Sequence, residues 1–209
     1  MTQADWNARY AEGAPPWDTG QPDEHLVEVV RAGGIVPGRA LEVGCGTGTN
    51  AVWLAQQGFD VLGVDLSPLA IEKARARAAA AGRECRFEVL DFLSGEPPSG
   101  PFGLVFDRGC FHVFDEPEAR ARFASRVAAL LEPGGSWLSV IGSTEGAPRE
   151  VGPPRRSVRD IAAALEPVLE IVTIRSAPFG VNGETAPRGW LCLSRRRAIP
   201  AQPSTRRGP

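Results

Sequence analysis

The 209-residue chain is nearly devoid of lysine: Lys73 stands alone beside 22 arginines, a bias that carries no functional reading by itself. Histidine is almost as scarce, at His25 and His112, and the four cysteines, Cys45, Cys85, Cys110 and Cys192, are far apart with no C-x-x-C pair. Ligand spacing of the kind that holds zinc is missing, so no metal is expected. With no signal-peptide pattern either, the thiols read as reduced and the expected location is cytoplasmic. No apolar run approaches the roughly 18–20 residues needed to cross a bilayer, which excludes a helical membrane span. Charge of one sign is lacking as well. A formal net charge of −2 provides no field for gathering phosphates, so neither nucleic acid nor membrane is an expected partner. The expected assembly is a monomer or weak dimer acting on a small molecule.

What remains is an ordinary globular composition, 43% apolar and 23% charged, in a length suited to one domain. From Ala40 onward short apolar runs alternate with helical patterns, the signature of a mostly parallel sheet covered by helices. ALEVGC (40–45), VLGVDL (61–66), CRFEVLD (85–91), GLVFDRG (103–109) and SWLSVIGS (136–143) read as strands. Between them lie helices over about 50–57, stopped by Gly58, over 68–81 behind the Ser67-Pro68 cap, and over about 117–131, ended by Glu132-Pro133-Gly134-Gly135. Ser157 and Asp160 form a capping box that opens a further helix. Residues 169–179 and 189–196 then follow without a helix between them, which predicts an antiparallel hairpin closing the sheet. The expected organisation is an N-terminal arm and helix over 1–35, a core domain over 36–197 and a basic, proline-rich, disordered tail over 198–209.

The chemistry gathers at the end of the first strand. Glu42-Val43-Gly44-Cys45-Gly46-Thr47-Gly48 opens a helix where an open α/β sheet places its ligand. Glycines allow a sharp turn and close approach, and the helix N-terminus offers free N–H groups to a carboxylate or phosphate. Asp65, at the end of the second strand, is placed to accept from both hydroxyls of a ribose. These features fit S-adenosylmethionine and NAD alike, and Gly46, Gly48 and Ala51 satisfy a loose G-x-G-x-x-A dinucleotide pattern. In the frame that begins at the strand end, Gly44 and Gly46 are followed by Thr49, which fails the third glycine. Asp91-Phe92 after the third strand is suited to an adenine amino group and ring, so Asp65 and Asp91 bracket an adenosine.

E-V-G-C-G-T-G, V-D-L-S-P, the Asp-Phe pair and L-E-P-G-G together resemble the class I S-adenosylmethionine-dependent methyltransferases over nearly the whole chain. The N-terminal D-W-N-A-R-Y and P-P-W-D-T-G-Q-P, with F-D-R-G-C-F-H and G-P-P-R-R-S-V, are similar to the thiopurine S-methyltransferase and tellurite-resistance methyltransferases within that class. The resemblance implies a doubly wound, Rossmann-like, seven-stranded sheet, mostly parallel with an antiparallel C-terminal strand pair. It implies S-adenosyl-L-methionine as cofactor, held by Glu42, Gly44, Gly46, Gly48, Asp65, Leu66, Asp91 and Phe92. It also implies that Trp6 and Trp17 form part of a lid over cofactor and substrate, and that Arg108 lies beside the cofactor and the reactive centre.

A methyl on a sulfonium needs mainly alignment with its acceptor and exclusion of water, which can contribute about 7–11 kcal/mol. A thiol, with a pKa near ~8.5, needs little assistance, whereas an alcohol needs a strong base. The expected reaction is in-line transfer to a soft nucleophile such as sulfur, selenium or halide. Oxygen or nitrogen methylation is the alternative, and a nicotinamide oxidoreductase a distant one. His112 follows the fourth strand and is a candidate for contact with the acceptor. Asp107 is expected either to orient substrate or to satisfy loop amides, Cys110 to pack, and His25 to lie outside the site.

Overall fold

A computed structural model describes residues 2–13, 15–147, 152–180 and 186–197. The predicted tail over 198–209 and the middle of the hairpin loop, 181–185, lie outside the described residues. Two helices, α1 (Gln3–Ala11) and α2 (Glu24–Arg31), precede β1 (Arg39–Val43), α3 (Thr49–Gln56), β2 (Asp60–Asp65), α4 (Pro68–Ala80) and β3 (Arg86–Val89). Then come β4 (Phe102–Arg108), a 3-10 turn (Phe111–Val113), α5 (Pro117–Leu130), β5 (Leu131–Gly142), α6 (Val158–Leu165), β6 (Glu170–Pro178) and β7 (Arg188–Arg195). They form one seven-stranded sheet in the order β3-β2-β1-β4-β5-β7-β6. β1 through β5 pair in parallel, while β7 runs antiparallel to both β5 and β6. The C-terminal hairpin is therefore present with one refinement: its second strand inserts between β5 and its first.

Alternation along the central strands sorts side chains to two covered faces. Leu104 and Phe106 of β4 pack with Leu26, Leu54 and Ile71 from α2, α3 and α4. Val105, one residue between them, packs with Phe123 and Val127 of α5 and Ile161 and Leu165 of α6. This is a doubly wound sheet. Ser67 caps α4 by accepting from the Ala70 amide, with Pro68 in its first turn, and the Ser157–Asp160 capping box begins α6 as predicted.

Two boundaries differ from the sequence reading. The Glu132–Gly135 segment does not form a separate turn, because Leu131 already pairs with Phe102 and α5 passes directly into an irregular start of β5. β3 ends at Val89, so Asp91 stands in the loop beyond it. Both differences follow strand pairing, a tertiary choice: Phe102 recruits Leu131 into β5, whereas pairing with β2 ends where Asp65 meets Val89. Among the described residues no helix is long and apolar enough to cross a membrane.

Candidate functional site

The strand order changes direction between β1 and β4, and the loop after β1 lies at that crevice. Its first turn hangs from β2: the amides of Gly44 and Cys45 both donate to the Val64 carbonyl, at 2.8 and 3.0 Å. Gly44, Gly46 and Gly48 all have positive φ, at 70°, 53° and 79°. At Gly48 a β-carbon would lie 2.9 Å from Cβ of Ala74, so the glycine also lets α4 pack against the N-terminus of α3.

Asp65 faces this loop from the end of β2. Its carboxylate accepts from the Gly46 amide through Oδ2 and from the Ser67 amide through Oδ1, each at 2.9 Å. Burial raises its pKa above the ordinary value, with the Ser67 and Gly46 amides opposing the shift. Leu66, next in sequence, uses its carbonyl to accept from Nε2 of Gln3. Glu42 is buried beneath the loop, its Oε1 accepting from Nδ2 of Asn50 at 2.9 Å while Oε2 has no partner. Burial drives the Glu42 carboxyl up to about 8, the Asn50 bond opposing it only in part.

At the third strand the two predicted residues separate. Asp91 is exposed, and its carboxylate accepts from the amides of Leu93 and Ser94 and from the Ser94 hydroxyl. Slight burial opposes its ionisation, but those bonds prevail and hold its pKa below the ordinary value. The Phe92 ring turns inward, 4.8 Å from the Phe123 ring, and joins the core on the α5 side. Its backbone, rather than its ring, remains at the loop.

The N-terminal arm sits on this constellation. The Tyr10 side chain is buried, and its hydroxyl lies 2.9 Å from the place a β-carbon would take at Gly46. Nε1 of Trp17 donates to that hydroxyl at 3.4 Å, and Trp6 meets Trp17 edge-on at 5.8 Å. Asn7 accepts from the Ser67 hydroxyl and the Leu69 amide. The Thr47 hydroxyl donates to Asp18 at 2.8 Å, while Arg77 donates to the Thr47 carbonyl and hydroxyl. The proximity of Tyr10 to Gly46 has no signature in local spacing.

On the far side of β4, Arg108 donates through Nε to Asp23, through a longer bond to the Trp17 carbonyl, and covers the Phe179 ring at 4.9 Å. Asp23 itself caps α2, and its amide donates to Oδ1 of Asn50. A continuous chain of bonds thus runs Glu42–Asn50–Asp23–Arg108. His112 is buried beside Phe179, with Nδ1 accepting from the Gly142 amide at 2.9 Å. That bond assigns the ring proton to Nε2.

The remaining candidates act structurally. Asp107 is wholly buried and accepts from the Cys110 and Phe111 amides and from Nε1 of Trp137. Cys110 packs against Gly44, and burial pushes its thiol well above the ordinary value. His25 bonds the Pro178 carbonyl and packs away from the loop. No group of three metal-ligating side chains occurs among the described residues.

Residues 40–135 match the family described as methyltransferase domain. The chain is 34% identical over 166 residues to "Probable thiol methyltransferase 2" of Arabidopsis thaliana, covering 78% of this chain and 72% of that protein. It is 27% identical over 172 residues to "2-heptyl-1-hydroxyquinolin-4(1H)-one methyltransferase" of Mycobacteroides abscessus, covering 81% and 75% respectively. A solved structure described as "Conversion of a Disulfide Bond into a Thioacetal Group during Echinomycin Biosynthesis" superposes with a TM-score of 0.81 at 29% identity, over 94% of this chain and 93% of that one. With these likenesses the nicotinamide alternative falls away: the chain belongs to the class I S-adenosylmethionine-dependent methyltransferases, enzymes of small-molecule methylation with S-adenosyl-L-methionine as cofactor.

Proposed function

We propose that this enzyme methylates a small thiol or a comparably soft nucleophile, and that the acceptor enters between the N-terminal arm and the end of β4. The observation that carries this reading is the bond from the Gly142 amide to Nδ1 of His112. With that lone pair engaged, the imidazole is not placed to deprotonate an alcohol, which favours an acceptor that needs no base. A thiol supplies its anion near neutral pH with little assistance. Similarity to a protein named as a thiol methyltransferase supports the same class.

The residues present fit the cofactor. Asp65 keeps a second lone pair on each oxygen for ribose hydroxyls, beside the bonds from Gly46 and Ser67. The unpartnered Oε2 of Glu42 is suited to the cofactor's ammonium group. Gly44, Gly46 and Gly48 would offer backbone at close range, and Leu66, the backbone at Phe92 and Asp91 would hold the adenosine end. When bound, S-adenosylmethionine supplies a methyl on a positively charged sulfur that departs as a neutral thioether. Trp6, Tyr10 and Trp17 then cover the site and exclude water, Arg108 with its partner Asp23 fixes the arm against β4, and His112 borders the nucleophile. The acceptor's lone pair forms the new bond to carbon as the carbon–sulfonium bond breaks, and the thiol proton passes to solvent.

The test is a product assay with a panel of aliphatic and aromatic thiols, iodide, phenols and a hydroxyquinolone. Thiols or iodide leading in kcat/KM supports the reading. A hydroxylated heterocycle leading by tenfold or more favours oxygen methylation instead, the second reading that the mycobacterial relative's name suggests.

A further inference from the structure

The single lysine and the single tyrosine of the chain touch each other. Nζ of Lys73 on α4 donates to the main-chain carbonyl of Tyr10 at 2.6 Å. That carbonyl belongs to the last turn of α1, where carbonyls lack helical partners and the helix dipole favours a cation. The Tyr10 side chain, on the other side of the same residue, reaches to Gly46. The same stretch of α4 also sets the glycine loop: Ala74 packs under Gly48, and Arg77 bonds the carbonyl and hydroxyl of Thr47. One helix therefore indexes both the lid and the cradle it covers.

We propose that Lys73 is a positioning residue that holds Tyr10 over Gly46 and thereby sets how fast the cofactor product leaves. The proposal rests on the reading of the glycine loop as the cofactor cradle. A hydroxyl this close to Gly46 stands in the exit of any ligand held by that loop, and the ammonium–carbonyl bond keeps it there.

Stopped-flow release of S-adenosylhomocysteine, followed by tryptophan fluorescence, tests this in the full-length enzyme. Lys73→Met is expected to raise the release rate about tenfold, equivalent to roughly 1.4 kcal/mol, with its unfolding midpoint close to wild type. Lys73→Arg should recover part of the loss. In a Tyr10→Ala background, already fast, Lys73→Met should add nothing further. An unchanged release rate in Lys73→Met overturns the proposal, as does an increase that persists undiminished in the Tyr10→Ala background or that merely tracks a fall in unfolding midpoint. Absence of S-adenosylhomocysteine binding by the wild-type enzyme overturns the cradle reading as well, so the two failures are distinct.

Discussion

Nε of Arg108 donates to Oδ2 of Asp23 at 2.8 Å, tying the end of β4 to the cap of α2. Both side chains are largely shielded from water, at 14% and 5% exposure, so the pair is more than a surface ion pair. It fixes the cap of α2 against the end of β4, the wall that the proposed acceptor would meet.

Arg108→Ala leaves the Asp23 carboxylate buried without its cation, and should cost roughly 3 kcal/mol together with most of the turnover. Asp23→Asn keeps one oxygen for the α2 amides while setting an NH2 group, which cannot accept, opposite Arg108 Nε; with the helix cap retained it should be the milder of the two. Urea denaturation and steady-state kinetics on the two variants check this. Equal losses in both would mean that the charge of the pair, not its geometry, matters.

Asp65→Asn should weaken S-adenosylhomocysteine binding about 30-fold, near 2 kcal/mol, the scale of a hydrogen bond to a charged group. Calorimetric titration measures it. An affinity within threefold of wild type would remove Asp65 from the cofactor site.

Glu42 gives a pH signature. Its carboxyl ordinarily titrates at 4.5 and is pushed up to about 8 by burial in the folded protein. Between those values the folded state holds a proton that the unfolded chain has released, so ligand-free stability falls as pH rises through this window and levels off above it. Glu42→Gln should flatten that decline in unfolding midpoint between pH 5 and 8. Binding of a cofactor ammonium beside Oε2 should in addition draw the carboxyl down and release a proton near pH 7, read as a buffer-dependent heat that the Gln variant lacks.

His112→Asn places an amide oxygen where Nδ1 accepted from Gly142 and deletes the Nε2 donor. The fold should survive, while kcat drops by ~10²-fold, the lower range for a positioned proton-bearing group. The pH–rate profile of the wild type should follow the ionisation of the acceptor thiol and shift when thiols of different acidity are compared. A limb that stays fixed across thiols would instead assign a basic role to an enzyme group.

The class of the protein was legible because its informative features are local. A glycine loop at a strand end, an acid closing the next strand, the Ser67-Pro68 cap and the Ser157–Asp160 box each depend on neighbours a few residues away. Backbone geometry and helix-end chemistry act at that range. Strand alternation likewise carried the sheet, including its antiparallel close.

Contacts between distant segments decided the rest. Nothing local tells that Phe92 turns its ring into the core beside Phe123, that β7 slips between β5 and β6, or that Arg108 spends its Nε on Asp23, 85 positions away. Tyr10, Lys73 and Gly46 likewise became one unit only when α1 packed on α4. The physical reason is that side-chain burial and hydrogen-bond pairing are settled by whichever surfaces the folded sheet brings together. The sequence by itself determined that an adenosine-binding α/β enzyme is built; the tertiary structure alone decided that Tyr10 of the arm meets Gly46 and which charges hold the arm to the sheet.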